Sequence, residues 1–205
     1  MTRPELLIPI ISYLLGSIPF GYILVRCTEG KDIRSLGSGN IGATNVFRRS
    51  RMIGVLTFVL DAGKGYLAVA IAGWLGGSVG WQAAAGFAAI FGHIFTVWLR
   101  FKGGKGVSTG CGAYLALSWP ALLTTLAVFL MITVLTRYIS VASIAATACF
   151  PFLAYLYGSP PAVLFWGTLG ALLIIARHHQ NIRRLLSGTE NRFVPGTRSG
   201  KLRRK

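Results

Sequence analysis

IGVLTFVLDAGKGYLAVAIAGW, Ile53 to Trp74, carries only two charges, Asp61 and Lys64. A helix crossing a bilayer needs about 20 predominantly apolar residues, and this run is long enough. The two charges stand three residues apart, so they share a helical face and can neutralise each other. The run therefore predicts a membrane helix whose polar side is turned toward other helices. Working outward, similar runs fall at about 5–25, 79–99, 107–118, 121–136, 139–157 and 161–176. The fold class that follows is an all-α polytopic membrane protein with about seven transmembrane helices. It forms a single integral-membrane domain over 1–205, with a basic tail from about 177.

Composition agrees. The chain has 205 residues, 53% hydrophobic and 13% charged, against about 25% charged in soluble domains. The first run contains Glu5, Pro9 and Pro19 and lacks a basic start and a small-residue cleavage site, so it reads as a retained helix. With seven crossings and the N-terminus outside, every Lys and Arg except Arg3 and Lys64 falls in the inside segments 26–51, 100–106, 137–138 and 177–205. Basic residues collect in cytoplasmic loops, so the expected orientation is N-terminus outside and C-terminus cytoplasmic. Skipping the short run 107–118 would reverse the later loops and put the basic tail outside, so this run is expected to cross. The net charge of +16 does not read as nucleic-acid binding, because the basic residues lack the interleaved aromatics of a strand-binding groove. Cys27, Cys111 and Cys149 show neither metal nor disulfide spacing.

Three segments on the cytoplasmic side carry chemistry. The first is SLGSGNIGATNVFR, Ser35 to Arg48. Ser38, Asn40, Thr44 and Asn45 can donate to phosphate oxygens, and Arg48 offers a two-pronged guanidinium. Glycines such as Gly39 let backbone N–H groups approach an anion. A plain helix connection needs about two to eight residues; this one has about 25. The second is FKGGKGVST, Phe101 to Thr109, where Lys102 and Lys105 flank Gly103 and Gly104 and lead into a helix. A lysine beside a helix N-terminus is an anion clamp, although the Walker A pattern is absent. The third is RHHQNIRR, Arg177 to Arg184. If the last membrane helix continues through it, His178 and Asn181 share a face that Arg184 extends, and histidine is the natural proton carrier near neutral pH. Ser143, with Ser140 near Arg137, adds a weaker phosphate contact. The bland readings are a polar hairpin, a positive-inside anchor and a basic helix end lying on anionic headgroups. His93 reads as a hydrogen-bonded contact between helices.

The acids are Glu5, Glu29, Asp32, Asp61 and Glu190. They are too scattered for a metal cluster or a serine triad, and no histidine is followed by the spacing H-x-x-x-x-D. Neither metal nor cofactor is expected. The short, nearly uncharged outside loops oppose a transporter gated on both sides. A non-catalytic scaffold for anionic lipid would need the basic loops but not the ordered glycines.

Taken together, the segments resemble the bacterial membrane family of acyl-phosphate:glycerol-3-phosphate acyltransferases over nearly the whole chain. GSGNxGATNxxR is complete from Gly37 to Arg48, GH…FKGGKG runs from Gly92 to Gly106, and RHxxNIxRLxxGxE from Arg177 to Glu190. Thr96 stands where the family usually has proline, His179 where arginine is usual, and Arg192 where lysine is common. The resemblance implies transfer of a long-chain acyl group from acyl phosphate to the 1-hydroxyl of glycerol 3-phosphate. The products are lysophosphatidate and phosphate, made at the cytoplasmic face of a bacterial inner membrane. On this reading Ser38, Arg48, Lys105, His178 and Asn181 are catalytic. Gly39, Asn40, Thr44, Asn45, Arg48, Gly103, Gly104, Lys105 and Ser143 bind the substrate phosphates. Membrane lipid surrounds the chain, and a soluble acyl-phosphate-forming enzyme is a candidate partner for the basic face. A covalent route through Cys111 is the rival chemistry.

Overall fold

Pro19 splits the first apolar run. Its ring removes a backbone donor and clashes with the preceding turn, and Ile18 before it leaves the helical region at φ −58, ψ 117. In place of one helix over 5–25 there are two, α1 (Ile8–Ser17) and α2 (Phe20–Glu29). They are followed by α3 (Ala43–Arg49), α4 (Arg51–Trp74), α5 (Val79–Ile94), α6 (Val107–Leu117) and α7 (Trp119–Thr136). The chain continues through α8 (Ile139–Leu156), α9 (Pro161–Ala176) and α10 (His179–Leu186). These elements come from a computed structural model that describes residues 4–193. Arg3 and the part of the basic tail beyond residue 193 lie outside the described residues. The described residues contain helices and turns but no strand.

The break at Pro19 leaves carbonyls without intrahelical partners, and in a membrane such groups must be satisfied by protein. Thr96 Oγ1 donates to the Ser17 carbonyl at 2.6 Å, and Lys64 Nζ donates to the Ile18 carbonyl at 2.7 Å. Lys64 also meets Asp61 at 2.7 Å and His93 Nδ1 at 3.0 Å. The charged pair in the opening stretch is thus mutual neutralisation, as its spacing suggests, and in addition the staple of a broken helix. His93 is the interhelical contact its position implies. Because both side chains of the pair are only 1% exposed, Lys64→Met should cost about 3 kcal/mol or more by stranding the Asp61 carboxylate. The double change Asp61→Asn, Lys64→Met should recover part of that loss. Thermal unfolding of the two proteins side by side checks this.

Small residues let the helices approach closely, as membrane packing requires. A Cβ on Gly112 of α6 would collide with the Ala62 carbonyl of α4. The main core gathers Ile90, Ile94, Tyr114, Leu122, Phe150 and Ile174. A second apolar cluster, Val25, Ile33, Ile41, Val46, Ile53 and Leu99, lies under the first loop and fixes it. On the outer wall α7 exposes Leu123, Leu130, Met131, Val134 and Leu135.

Five stretches are long and apolar enough to cross a membrane: Glu5–Glu29, Arg51–Trp74, Val79–Leu99, Trp119–Thr136 and Ile139–Leu156. A sixth is reached if α9 and α10 count as one span bent by 49°. The last membrane helix therefore does not run straight through 177–184. Helix α6 has only 11 residues, about half the rise needed to cross.

Candidate active site

Asn45 organises the first loop. Its Oδ1 accepts from Ser38 N at 3.0 Å, while its amide donates to the carbonyls of Leu36 at 3.0 Å and Asn40 at 2.9 Å. Asn40 Oδ1 in turn accepts from Gly42 N at 2.8 Å. The loop closes on itself only because Gly37 adopts φ +58; a Cβ there would strike Asn45 Oδ1. The result aims Ser38, Asn40, Thr44 and Arg48 into one cavity of about 260 Å³.

The second loop is docked on the end of α5. Gly103 N donates to the Ile94 carbonyl and Gly104 N to the His93 carbonyl, both at 3.0 Å. These bonds satisfy carbonyls that the helix end would leave open. Gly103 and Gly104, read above as phosphate donors, therefore spend their N–H groups inside the protein and do not line the cavity. Being glycine matters for a different reason: a Cβ on Gly104 would enter the His93 ring. Gly39 does not line the cavity either; its N–H goes to the Leu36 carbonyl at 3.0 Å. Asn45 touches the cavity, but its polar atoms are committed to the loop. Lys105 does enter, followed by Gly106, Val107 and Ser108 at the N-terminus of α6, whose first N–H groups and dipole favour an anion.

The third segment contributes His178, Asn181 and Arg184. The bend before α10 does not separate His178 from Asn181: they are 2% and 5% exposed and border the same cavity. Lys105 Nζ donates to Asn181 Oδ1 at 2.6 Å. Asn181 Nδ2 and Ser140 Oγ donate to Glu190 Oε1 at 2.7 and 2.9 Å, and Arg184 Nε donates to Glu190 Oε2 at 2.7 Å. Glu190 is thus the hub that sets the cations, and residue-type reasoning missed it. Its signal was being the lone acid near the end of a strongly basic segment. Ser143, Phe58, Phe129 and Ile139 add to the wall, as do Ala43, Asn191 and His93, which borders the cavity as well as joining helices. Cys111 does not border this cavity; it faces a smaller apolar crevice beneath it.

The electrostatics favour an anion. Three cations, Arg48, Lys105 and Arg184, face one carboxylate. Among the described residues Arg48 forms no salt bridge. Burial pulls Arg48 below the usual arginine value, partly opposed by Glu190. Burial brings Lys105 down to about 8, with Glu190 opposing and Arg184, Arg48 and Arg177 adding to the fall. His178 is pushed down to about 4, first by burial and then by the Lys105 charge. Burial would raise the Glu190 carboxyl, but hydrogen bonds from Arg184, Asn181 and Ser140 outweigh it and hold it below the usual value.

A helical membrane protein with a cationic, carboxamide- and histidine-bearing pocket fits the class of membrane enzymes that handle phosphorylated substrates. The family model for glycerol-3-phosphate acyltransferase matches residues 6–188. Glycerol-3-phosphate acyltransferases of Geotalea daltonii and Geobacter sulfurreducens are 46% and 45% identical over 190 residues, covering 92% of this chain and 97% of each relative. The crystal structure of PlsY (YgiH), an integral membrane glycerol 3-phosphate acyltransferase, in its glycerol 3-phosphate form is 42% identical. It superposes with a TM-score of 0.88 over 93% of this chain and 96% of that one. The lysophosphatidic acid form gives 0.84 at 40% identity, over 93% and 95%. The chain belongs to the glycerol-3-phosphate acyltransferase family and is a multi-pass integral membrane enzyme.

Proposed function

We propose that this enzyme moves a long-chain acyl group from acyl phosphate to the 1-hydroxyl of glycerol 3-phosphate, releasing lysophosphatidate and inorganic phosphate. It does so at the cytoplasmic face of a bacterial inner membrane. About seven crossings, with the short α6 counted among them, take the chain from an outer N-terminus to an inner C-terminus, and it acts as one domain over 1–205. A soluble acyl-phosphate-forming enzyme would meet the basic face. The observation that carries the reading is the meeting of Arg48, Lys105 and Arg184 in one cavity whose remaining wall includes Phe58, Val107 and Phe129. Two anionic headgroups need several cations, and an acyl chain needs apolar surface beside them.

The reaction is a single displacement. The glycerol hydroxyl oxygen bonds to the acyl carbon, the acyl C–O bond to phosphate breaks, and phosphate leaves with the electron pair. Arg48 and Lys105 hold the phosphates, with Asn40, Thr44 and Ser143 as further donors. Ser38 or an N–H at the start of α6 stabilises the oxyanion. His178 Nδ1 lies 2.8 Å from the Ile174 carbonyl. A carbonyl only accepts, so Nδ1 carries the proton and Nε2 is left as an acceptor. With its pKa pushed down to about 4, the ring orients the hydroxyl better than it stores a proton. A substrate phosphate, with a second pKa of about 6, is the better sink.

Phosphate release from palmitoyl phosphate, measured with and without glycerol 3-phosphate, tests the reading. Release that requires glycerol 3-phosphate and matches lysophosphatidate formed supports it. No release from protein that still binds glycerol 3-phosphate would overturn it. A pH profile adds a sign. Lys105 must be charged to hold an anion, so kcat/KM should fall as pH rises through about 8. Bound phosphate raises the lysine pKa, so the limb in kcat should lie higher. Residual activity in Lys105→Arg should lack this limb, because arginine stays charged.

A further inference from the structure

Below the cavity three helices present matched stripes. Helix α6 offers Val107, Cys111 and Tyr114; α7 offers Leu122, Thr125, Leu126 and Phe129; α8 offers Ser143, Ala146, Thr147 and Phe150. Each set repeats at three- and four-residue steps, so each is one face of its helix. The stripes enclose a crevice of about 40 Å³ that is apolar except for Thr125, Thr147 and Ser143. Val107, Phe129 and Ser143 also border the cationic cavity, so the two spaces join there. From that mouth each stripe descends seven residues, about 10 Å, to Tyr114, Leu122 and Phe150.

At the lower end two rings form a floor. The rings of Tyr114 and Phe150 stack at 3.8 Å between centroids, 11° from parallel. Tyr114 Oη donates to the Gly167 carbonyl at 3.0 Å. Gly170 leaves room for that hydroxyl: a Cβ there would lie 2.7 Å from it. A floor braced by a stack and a hydrogen bond does not yield to a flexible chain.

We propose that this crevice receives the first part of the donor's acyl chain and that the Tyr114–Phe150 floor sets the enzyme's chain-length response. The assignment rests on the acyl-phosphate reading above. Continuity with the site selects the occupant, because the reacting carbonyl must sit among the cations while its chain continues into apolar space. One leaflet's hydrocarbon is about 15 Å deep, more than the crevice. Chains that end inside it gain burial with every methylene, and longer ones turn out toward lipid at the floor.

The test is kcat/KM for a series of saturated acyl phosphates from butanoyl to stearoyl with glycerol 3-phosphate, using purified protein. Wild type should gain up to about fourfold per added methylene and then level off. Ala146→Phe should level off at shorter chains and Phe150→Ala at longer ones. Tyr114→Phe, which keeps the stacked ring but loses the bond to Gly167, should move the levelling point less than Phe150→Ala does. Ala146→Leu replaces the larger change if that variant fails to fold. Normal transfer with the wild-type profile in the Ala146 and Phe150 variants would overturn the crevice assignment alone. A wild type that accepts no acyl phosphate, while folded, would overturn the donor reading and this assignment with it.

Discussion

Lys105→Ala should leave a folded protein with kcat/KM reduced about a thousandfold or more. The fold survives because the loop is held by its backbone: the bonds from Gly103 and Gly104 to the end of α5 do not involve the lysine side chain. Activity does not, because the cation that enters beside the α6 N-terminus is lost and Asn181 Oδ1 loses its donor. Removing one donor that stabilises developing or transferred charge costs about 10²–10³ in rate, and this change also weakens the neighbouring carboxamide. Lys105→Arg should recover only part, since a guanidinium cannot reproduce a compact ammonium at 2.6 Å from Asn181. Phosphate release gives the rate and thermal unfolding reports the fold. Near-normal turnover in Lys105→Ala would remove lysine from the mechanism.

Glu190→Ala should lower kcat/KM about a hundredfold, although Glu190 itself touches no phosphate in this account. Its carboxylate holds Arg184, Asn181 and Ser140 together, and Asn181 in turn holds Lys105. Without it, Arg184 and Asn181 are free to turn away, and the segment after α10 loses its bond to Ser140 of α8, although Phe193 N and Arg192 Nε still hold it to Arg137 and Tyr138. The pair is only half-buried, with Arg184 31% exposed, so losing it and its hydrogen bonds should cost about 1–2 kcal/mol, and the unfolding temperature should fall modestly as well. Glu190→Gln separates the two effects: an amide oxygen still accepts from Asn181 or Ser140, but the ion pair with Arg184 is gone. It should keep most of the stability and sit between wild type and alanine in rate. Equal rates for glutamine and wild type would mean that the carboxylate's charge is not what organises the site.

Much of this molecule is legible in its residues, and what is not has a common cause. The apolar helices are readable because hydropathy is a property of one segment. Arg48, Lys105, His178 and Asn181 stand out because each follows or sits in a polar stretch at a helix end on the basic side. The structure brings those four into one cavity. Glycines and carboxamides were harder. Gly103, Gly104 and Asn45 have the right groups for an anion, yet those groups are spent on the His93, Ile94, Leu36 and Asn40 carbonyls and the Ser38 N–H. Which partner a donor finds depends on what folds against it, and sequence spacing carries no record of that. Glu190 was missed for the same reason, since a carboxylate among arginines looks like surface neutralisation until its three donors are seen. The break at Pro19 was foreseeable from proline; that Lys64 and Thr96 would mend it was not.

The shortness of α6 has a consequence for where the chemistry happens. Helices α6 and α7 meet at Ser118, so their ends there lie at one level, marked by the exposed ring of Trp119. With 11 residues against 18, α6 stops about 10 Å before its neighbour does. Lys105 and the start of α6 therefore stop short of the end that α7 reaches; with both helices spanning as proposed, they lie in a basin cut into the thickness of the bilayer. A lipid-borne donor can reach such a basin by sliding sideways with its tail still in hydrocarbon, whereas a water-soluble acceptor has to descend into it. The work of lifting a fatty chain toward water, about 0.8 kcal/mol for each methylene exposed, is then never done.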